Sequence, residues 1–338
     1  MQADLDAGRT VRQWAVQKDG VDIPMADIAP DTKAAQLDNR STFLGLDANR
    51  LARWDQRTAQ GVVQDFTLDY KAGKDYSRGT NFTCMATSGD GYVAVGSRDG
   101  RVRLYGSKKS MESFEFKQAS TSVPGLGLPI TAIDVSFDAR YVVATTDKYL
   151  IVLQTSYKDA KSGRDTNGFV ARAGSQTPPP KLLRLSPEDR AKAVRAIVGG
   201  CAPWGLRLRP YFTAIADAPR VISALCVQGH AAKLSNARLT WVTEGDRQER
   251  WIVASCGMFS VLWNFRRVKA ARPNAISDGA FTVCDHYTML RRGEKVVANA
   301  FLHDDHAVVP QAKNALVIAT EHRLYTADED RDESSDFE

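Results

Sequence analysis

One local pattern recurs along this chain and narrows what it can fold into. An alternating apolar strand is followed by a polar turn, a second apolar strand, a short turn, and a third strand ending on an aromatic or bulky apolar residue. The clearest copies are Cys84-Met85-Ala86-Thr87 … Tyr92-Val93-Ala94-Val95-Gly96 … Val102-Arg103-Leu104-Tyr105 and Ile133-Asp134-Val135-Ser136 … Tyr141-Val142-Val143-Ala144-Thr145 … Tyr149-Leu150-Ile151-Val152-Leu153. Such a unit cannot bury its apolar face alone, whereas stacked copies can. Five copies therefore predict an all-β chain folded as a β-propeller. This pattern speaks to shape and leaves the binding partner open.

The first full unit takes residues 25–29 as inner strand, then 41–46, 51–55 and 61–66. Its Arg53-Trp54-Asp55 places a Trp-Asp pair at the end of the third strand, as in WD-repeat blades, where an indole fills the space between sheets. Tyr105, Trp263 and Tyr325 end the equivalent strands of other units and are assigned the same structural role as Trp54. The second unit runs over 81–126 and the third over 130–185, with a Gly/Ser/Pro-rich excursion at 158–180 that reads as an extended surface loop. The fourth comprises 238–242, 251–255, 259–264 and an outer strand at 281–290. The fifth comprises 296–301, 316–320 and 323–325, with no outer strand.

Two segments break the repeat. Residues 196–232 fit no blade and read as an insert, as translated non-coding sequence, or as an additional blade with weak signal; the first two are favoured. At the other end, strand 11–16 has no earlier partners, while the last unit lacks a fourth strand. Either one further blade is shared between the termini, or the first blade is partial and cut at Met1. The domain expectation is a propeller over 1–327 followed by a disordered acidic tail at 328–338.

Composition limits the setting. At 338 residues with 43% hydrophobic and 25% charged residues, the chain is long enough to bury a large core. The five cysteines are scattered without a C-x-x-C pair, which argues for a reducing compartment and against a disulfide framework or zinc site. No apolar run approaches the roughly 18–20 residues of a spanning helix. The polar, acidic first eight residues are not a secretory signal. A cytoplasmic or nuclear location is expected. The formal charge of +5 conceals an asymmetry. Residues 328–338 carry seven acidic groups against one arginine, a net −6, which leaves +11 on the body and biases it towards acidic partners.

Several longer phrases carry a resemblance. Phe43-Leu44-Gly45-Leu46-Asp47, Arg78-Gly79-Thr80-Asn81-Phe82, Val95-Gly96-Ser97-Arg98-Asp99-Gly100, Pro124-Gly125-Leu126-Gly127, Trp241-Val242-Thr243-Glu244 and Val261-Leu262-Trp263-Asn264-Phe265 occur in the order found in the vacuolar import and degradation (Vid) family of WD-repeat-like propellers. The chain resembles most its plant and green-algal branch, the DEM (defective embryo and meristems) proteins, over all but about 196–232 and the acidic tail. The resemblance implies a cytoplasmic propeller without catalytic residues. It also implies work in delivery of cytosolic enzymes to the vacuole, or in cell division and organ formation. The N-terminal region that members carry, with its pleckstrin-homology-like portion, has no counterpart here.

Motifs for chemistry are sparse. His303-Asp304-Asp305-His306 is the best metal candidate, but it falls where other units have a polar turn (Asp31, Asp90, Asp138, Asp246), so the turn reading is preferred and no metal is expected. Cys256 and Cys284 lie in strand patterns and read as small buried residues; His286 would share a face with Cys284. The sequence has no G-x-x-x-x-G-K phosphate loop and no G-x-S-x-G elbow. No cofactor is expected and an enzyme is the weaker reading. No strand interleaves basic and aromatic residues as a base-stacking platform does, so nucleic acid is not an expected partner.

Binding features are diffuse but share a location. In propellers of this type, the turns between second and third strands and the links between blades lie on one rim of the channel. Those turns carry Arg50, Arg98, Arg101, Lys148 and Arg323, and the links carry Lys71, Lys74, Arg78, Arg291 and Arg292, tempered by Asp47, Asp99, Asp147 and Glu321. A rim of this charge suits an acidic protein segment, or the chain's own acidic tail. The reading is a non-catalytic protein-interaction scaffold; the alternative is a small-ligand-binding or enzymatic propeller that uses the channel mouth.

Overall fold

The alternating segments form antiparallel sheets in the order that the repeat implies. The computed structural model describes residues 2–4, 9–12, 16–18, 21–23, 25–33, 42–47, 50–55, 57, 62–67, 81–106, 119–160, 163–176, 178–200, 232–239, 251–271, 282–284, 286–301 and 316–327. Two compact units are present, Met1–Thr145 with Ile151–Pro180, and Thr146–Leu150 with Lys181–Glu338.

The first unit begins with two hairpins, β1 (Gln2–Asp4) with β2 (Arg9–Arg12) and β3 (Val16–Lys18) with β4 (Val21–Ile23). The single strand expected at 11–16 is thus divided. Next come β5 (Asp27–Pro30), β6 (Thr42–Leu46), β7 (Arg50–Asp55) and β8 (Val62–Thr67), paired in sequence order as the first four-stranded blade. The second blade is β9 (Phe82–Thr87), β10 (Val93–Ser97), β11 (Val102–Tyr105) and β12 (Thr121–Val123).

Every residue of β10 is buried. A strand covered on both faces loses its alternation and becomes a continuous apolar run, as Val93-Ala94-Val95 is. Leu44, Leu46 and Leu51 of the first blade meet Phe82, Met85, Val93, Val95 and Tyr105 of the second in one buried cluster. Face-to-face stacking of this kind is what makes the repeated sheets propeller blades.

The third blade holds β13 (Ala132–Val135), β14 (Tyr141–Thr145) and β15 (Leu150–Gln154). The excursion at 158–180 is not simply an extended loop. It contains half of a hairpin, β16 (Ser156–Lys158) with β17 (Asp165–Asn167), and a short 3-10 turn at Gly174–Gln176. Phe169 is fully buried, its ring centroid 5.4 Å from that of Tyr92, so this segment is anchored by an aromatic.

In the second unit, β18 (Lys181–Leu183) precedes a helix, α1 (Pro187–Gly200). The helix was not expected. Its signal is Ser186-Pro187-Glu188-Asp189: the Ser186 hydroxyl accepts the Asp189 N–H at 3.1 Å, Pro187 opens the first turn, and two acids sit at the positive end of the helix. The fourth blade is β19 (Leu234–Leu239), β20 (Trp251–Cys256), β21 (Phe259–Asn264) and β23 (Tyr287–Arg291). A helix α2 (Phe265–Ala270) and strand β22 (Thr282–Cys284) lie between β21 and β23. The inner strand therefore starts four residues before the expected 238. The outer segment expected at 281–290 is two strands, because β22 pairs in parallel with β18 and only β23 joins the blade. The fifth blade is β24 (Val296–Phe301), β25 (Leu316–Thr320) and β26 (Leu324–Ala327), three strands among the described residues. Val253 and Leu262 of the fourth blade meet Val296, Leu316 and Ile318 of the fifth in the second core.

The fold is an all-β, WD-repeat-like β-propeller with five blade sheets. Residues 201–231 and 328–338 and the His303–His306 motif lie outside the described residues.

Candidate docking rim

The turn between β10 and β11 shows how a sheet end becomes a fixed presenting surface. Ser97 closes β10, and its hydroxyl donates to Asp99 Oδ1 at 2.5 Å. That carboxylate oxygen also accepts the Arg101 N–H at 3.1 Å. Gly100 takes a φ of +80°, where a side chain would be strained, and its N–H returns to the Ser97 carbonyl at 3.0 Å. Below the turn, Arg103 is 5% exposed between the buried Val102, Leu104 and Tyr105 of β11. Its Nη1 donates to Ser97 Oγ at 2.6 Å, its Nη2 lies 3.4 Å from Asp99, and its guanidinium sits 5.5 Å over the Phe82 ring. Burial alone would raise the Asp99 pKa. The hydrogen bonds from Ser97 and the Arg101 N–H, with the Arg103 charge, hold it below the ordinary value instead.

Neighbouring links lock this turn from outside. The Arg98 N–H donates to Asn81 O at 2.8 Å, and the Ile130 N–H donates to Ser97 O at 3.2 Å. The β9 entry, the β10–β11 turn and the link after β12 therefore share one sheet end. A Cβ on Gly125 would lie 2.7 Å from Asp99 O and Gly100 C, so the link can pass only as glycine. Gly125→Ala should displace the turn: arginine presentation falls, and hydrogen exchange at 98–101 rises at least tenfold. Unchanged exchange there would refute the clamp.

The other expected rim residues fall as follows. Arg98 and Arg101 are both exposed on this one turn; Arg101 lies 3.6 Å from Asp99, whereas Arg98 has no ion pair among the described residues. Arg50 begins β7, and its side chain is outside the described set, as are Lys71, Lys74 and Arg78. In the second unit, Lys148 is exposed beside Asp147, which pairs with Lys233 at 2.9 Å. Arg323 is exposed on the β25–β26 turn, 3.8 Å from Glu294. Sequence reasoning missed Arg103 and Glu294. An arginine inside the apolar run Val102-Arg103-Leu104-Tyr105 was the available signal, since such a charge needs partners.

Of the four blade aromatics, Trp54, Tyr105 and Trp263 are buried and Tyr325 is half-buried against the second core. Trp54 stacks on Phe43 at 5.5 Å, and Trp263 lies 5.7 Å from Tyr287. Cys256 is fully buried, and loss of solvent pushes its pKa up to about 11, so it stays a protonated thiol at neutral pH. His286 is exposed on the segment leading into β23, and the Cys284 side chain lies outside the described residues. Among the described residues, no three His, Cys, Asp or Glu side chains converge as a metal site would require, and no helix is long and apolar enough to cross a membrane.

A sequence profile of the VID27 C-terminal WD40-like domain matches residues 1–199. The chain belongs to this family. Two curated relatives share the family name, "Vacuolar import and degradation protein 27". The one from Schizosaccharomyces pombe is 30% identical over 268 residues, which cover 79% of this chain and 27% of the relative. The one from Saccharomyces cerevisiae is 24% identical over 188 residues, covering 56% of this chain and 22% of the relative. The chain thus spans about a quarter of the length of these VID27 proteins. Among solved structures, that of BBS1N in complex with ARL6DN superposes with a TM-score of 0.43 at 8% identity over 85% of this chain and 61% of its own, too loosely to carry an argument.

Proposed function

We propose that this VID27-family propeller is a non-catalytic scaffold that docks an acidic segment of a partner protein on the turn carrying Arg98 and Arg101. The reading rests on one observation: the turn is clamped by Ser97, Asp99, Arg103 and the Gly125 link, while Arg98 is exposed and has no ion-pair partner among the described residues. A clamped turn backbone leaves only side-chain entropy to lose when its arginines meet a carboxylate, which favours binding over a mobile loop. In this proposal Lys148 and Arg323 are separate binding cations of the second unit, and Trp54, Tyr105, Trp263 and Tyr325 hold the blades. The relatives' name, vacuolar import and degradation, suggests the context, so the proposed role is in turnover or vacuolar delivery of cytosolic proteins, or, on the resemblance to the DEM branch, in control of cell division and organ formation. The proposed location is the cytoplasm or nucleus.

Affinity capture from lysate with quantitative mass spectrometry tests this, comparing the wild-type chain with an Arg98→Glu/Arg101→Glu variant of matched thermal stability. The expected result is a small partner set, rich in acidic segments, recovered at least ~10-fold less by the variant and released by salt. Equal recovery by both proteins would reject the turn as the docking site.

A further inference from the structure

A second basic cluster, in the second unit, is only touched by that reading. Arg291 ends β23, Arg292 and Lys295 lie on the link to β24, and His322 and Arg323 form the turn before β26. The link is fixed. Arg292 N–H donates to Met258 O and Val296 N–H to Gly257 O, both at 2.8 Å. Glu294 Oε2 ties the link to the next turn by accepting the Thr320 hydroxyl at 2.8 Å and the His322 N–H at 3.2 Å. Among the described residues, two carboxylates serve five basic side chains here. Glu294 is shared by His322 at 3.7 Å and Arg323 at 3.8 Å, and Glu321 faces Lys295 at 3.7 Å. Arg291 and Arg292 have no carboxylate partner among the described residues. Arg292 lies 5.6 Å over the Tyr325 ring, and its buried Nε has no hydrogen-bond partner among the described residues.

Tyr325 is only three residues before Asp328, where the acidic segment starts. We propose that residues 328–338 dock on the Arg291, Arg292 and Arg323 cluster of their own chain, covering it against acidic partners. This rests on the reading that turn-borne arginines take acidic segments. The charges match: net −6 on eleven residues faces a cluster with an excess of cations. The reach is sufficient, since returning along four-residue β26 needs about 13 Å and eleven extended residues span up to about 36 Å. Tethering adds an effective concentration in the millimolar range, which makes weak contacts sufficient.

Arg331 provides the assay, being the one tryptic site within the segment. The full chain is treated with dilute trypsin, and loss of residues 332–338 is followed by intact mass. In low salt the wild-type chain should be clipped at least ~5-fold more slowly than Arg291→Glu/Arg292→Glu. Salt at 1 M, where the Debye length is about 3 Å, should erase the difference. Arg323→Gln, at an exposed position, should give an intermediate rate and guards against misfolding of the double variant. Equal rates at low salt would overturn the inference. So would acceleration confined to Arg98→Glu/Arg101→Glu, which would place the tail on the other turn. Partner capture that depends on Arg98 and Arg101 while clipping is indifferent to Arg291 and Arg292 would sink this inference alone. Capture indifferent to Arg98 and Arg101 would sink the docking reading, whatever the clipping rate.

Discussion

Replacing Lys33 with methionine is expected to destabilise the first unit by about 3–5 kcal/mol, the usual cost of stranding one member of a buried ion pair. Lys33 leaves β5 and reaches the inner strand of the third blade, where Nζ donates to Asp134 Oδ1 at 3.1 Å, Oδ2 at 3.2 Å and Val135 O at 2.7 Å. Its own N–H donates to Ser88 O at 2.8 Å, just past β9 of the second blade. One residue thus joins three consecutive sheets. The side chains are 17% and 7% exposed, so the carboxylate of Asp134 cannot recover by hydration when the ammonium is removed. Lys33→Met/Asp134→Asn should recover most of the loss, because removing both charges removes the burial penalty too. Denaturant unfolding with hydrogen exchange on β13 reads this. A single variant within about 0.5 kcal/mol of wild type would show that the bridge contributes nothing net.

Lys33 also shows where legibility in the sequence ends. Strands β5 to β8, β9 to β11, β20, β21, β24 and β25 fall within one or two residues of the alternation that predicts them, because each shows its periodicity locally. The same holds for Arg98 and Arg101, since a turn between two strong strands is forced to the sheet end. Contacts distant in sequence are not written that way. Nothing near Lys181–Leu183 announces a parallel partner at Thr282–Cys284, and nothing near Gly125 announces Asp99 O beneath its Cα. The hairpin β16–β17 was hidden by composition: its Gly/Ser/Pro-rich surroundings read as a loop, while the anchor is the single buried Phe169. Helix α1 was legible in principle. Its Ser-Pro-Glu-Asp opening is a capping signal, overlooked because a repeat of strands was expected to continue.

Helix α1 is also where the loss of one indole should spread. Trp263 is fully buried at the end of β21 and packs 5.7 Å from Tyr287 on the adjacent β23. The Tyr287 hydroxyl in turn donates to Asp189 Oδ2 at 2.6 Å and accepts the Ser186 N–H at 2.8 Å, which pins the start of α1 to the blade. Trp263→Ala should therefore cost about 3–5 kcal/mol in the second unit. Hydrogen exchange should rise in β20, β21 and β23 and also at 187–190. Trp263→Phe should cost less than half as much, since the indole N–H has no hydrogen-bond partner among the described residues to lose. The Asp189 carboxyl supplies an independent readout. The Tyr287 hydrogen bond, then Lys192, holds its pKa below the ordinary value. Its contribution is accordingly present above the ordinary aspartate pKa of about 3.9 and is lost as the pH falls through the lower folded value. In Trp263→Ala, with Tyr287 released, that pKa should return towards the ordinary value. A variant that unfolds more easily but leaves Asp189 and the 187–190 amides unchanged would confine Trp263 to the blade core and remove its link to the helix.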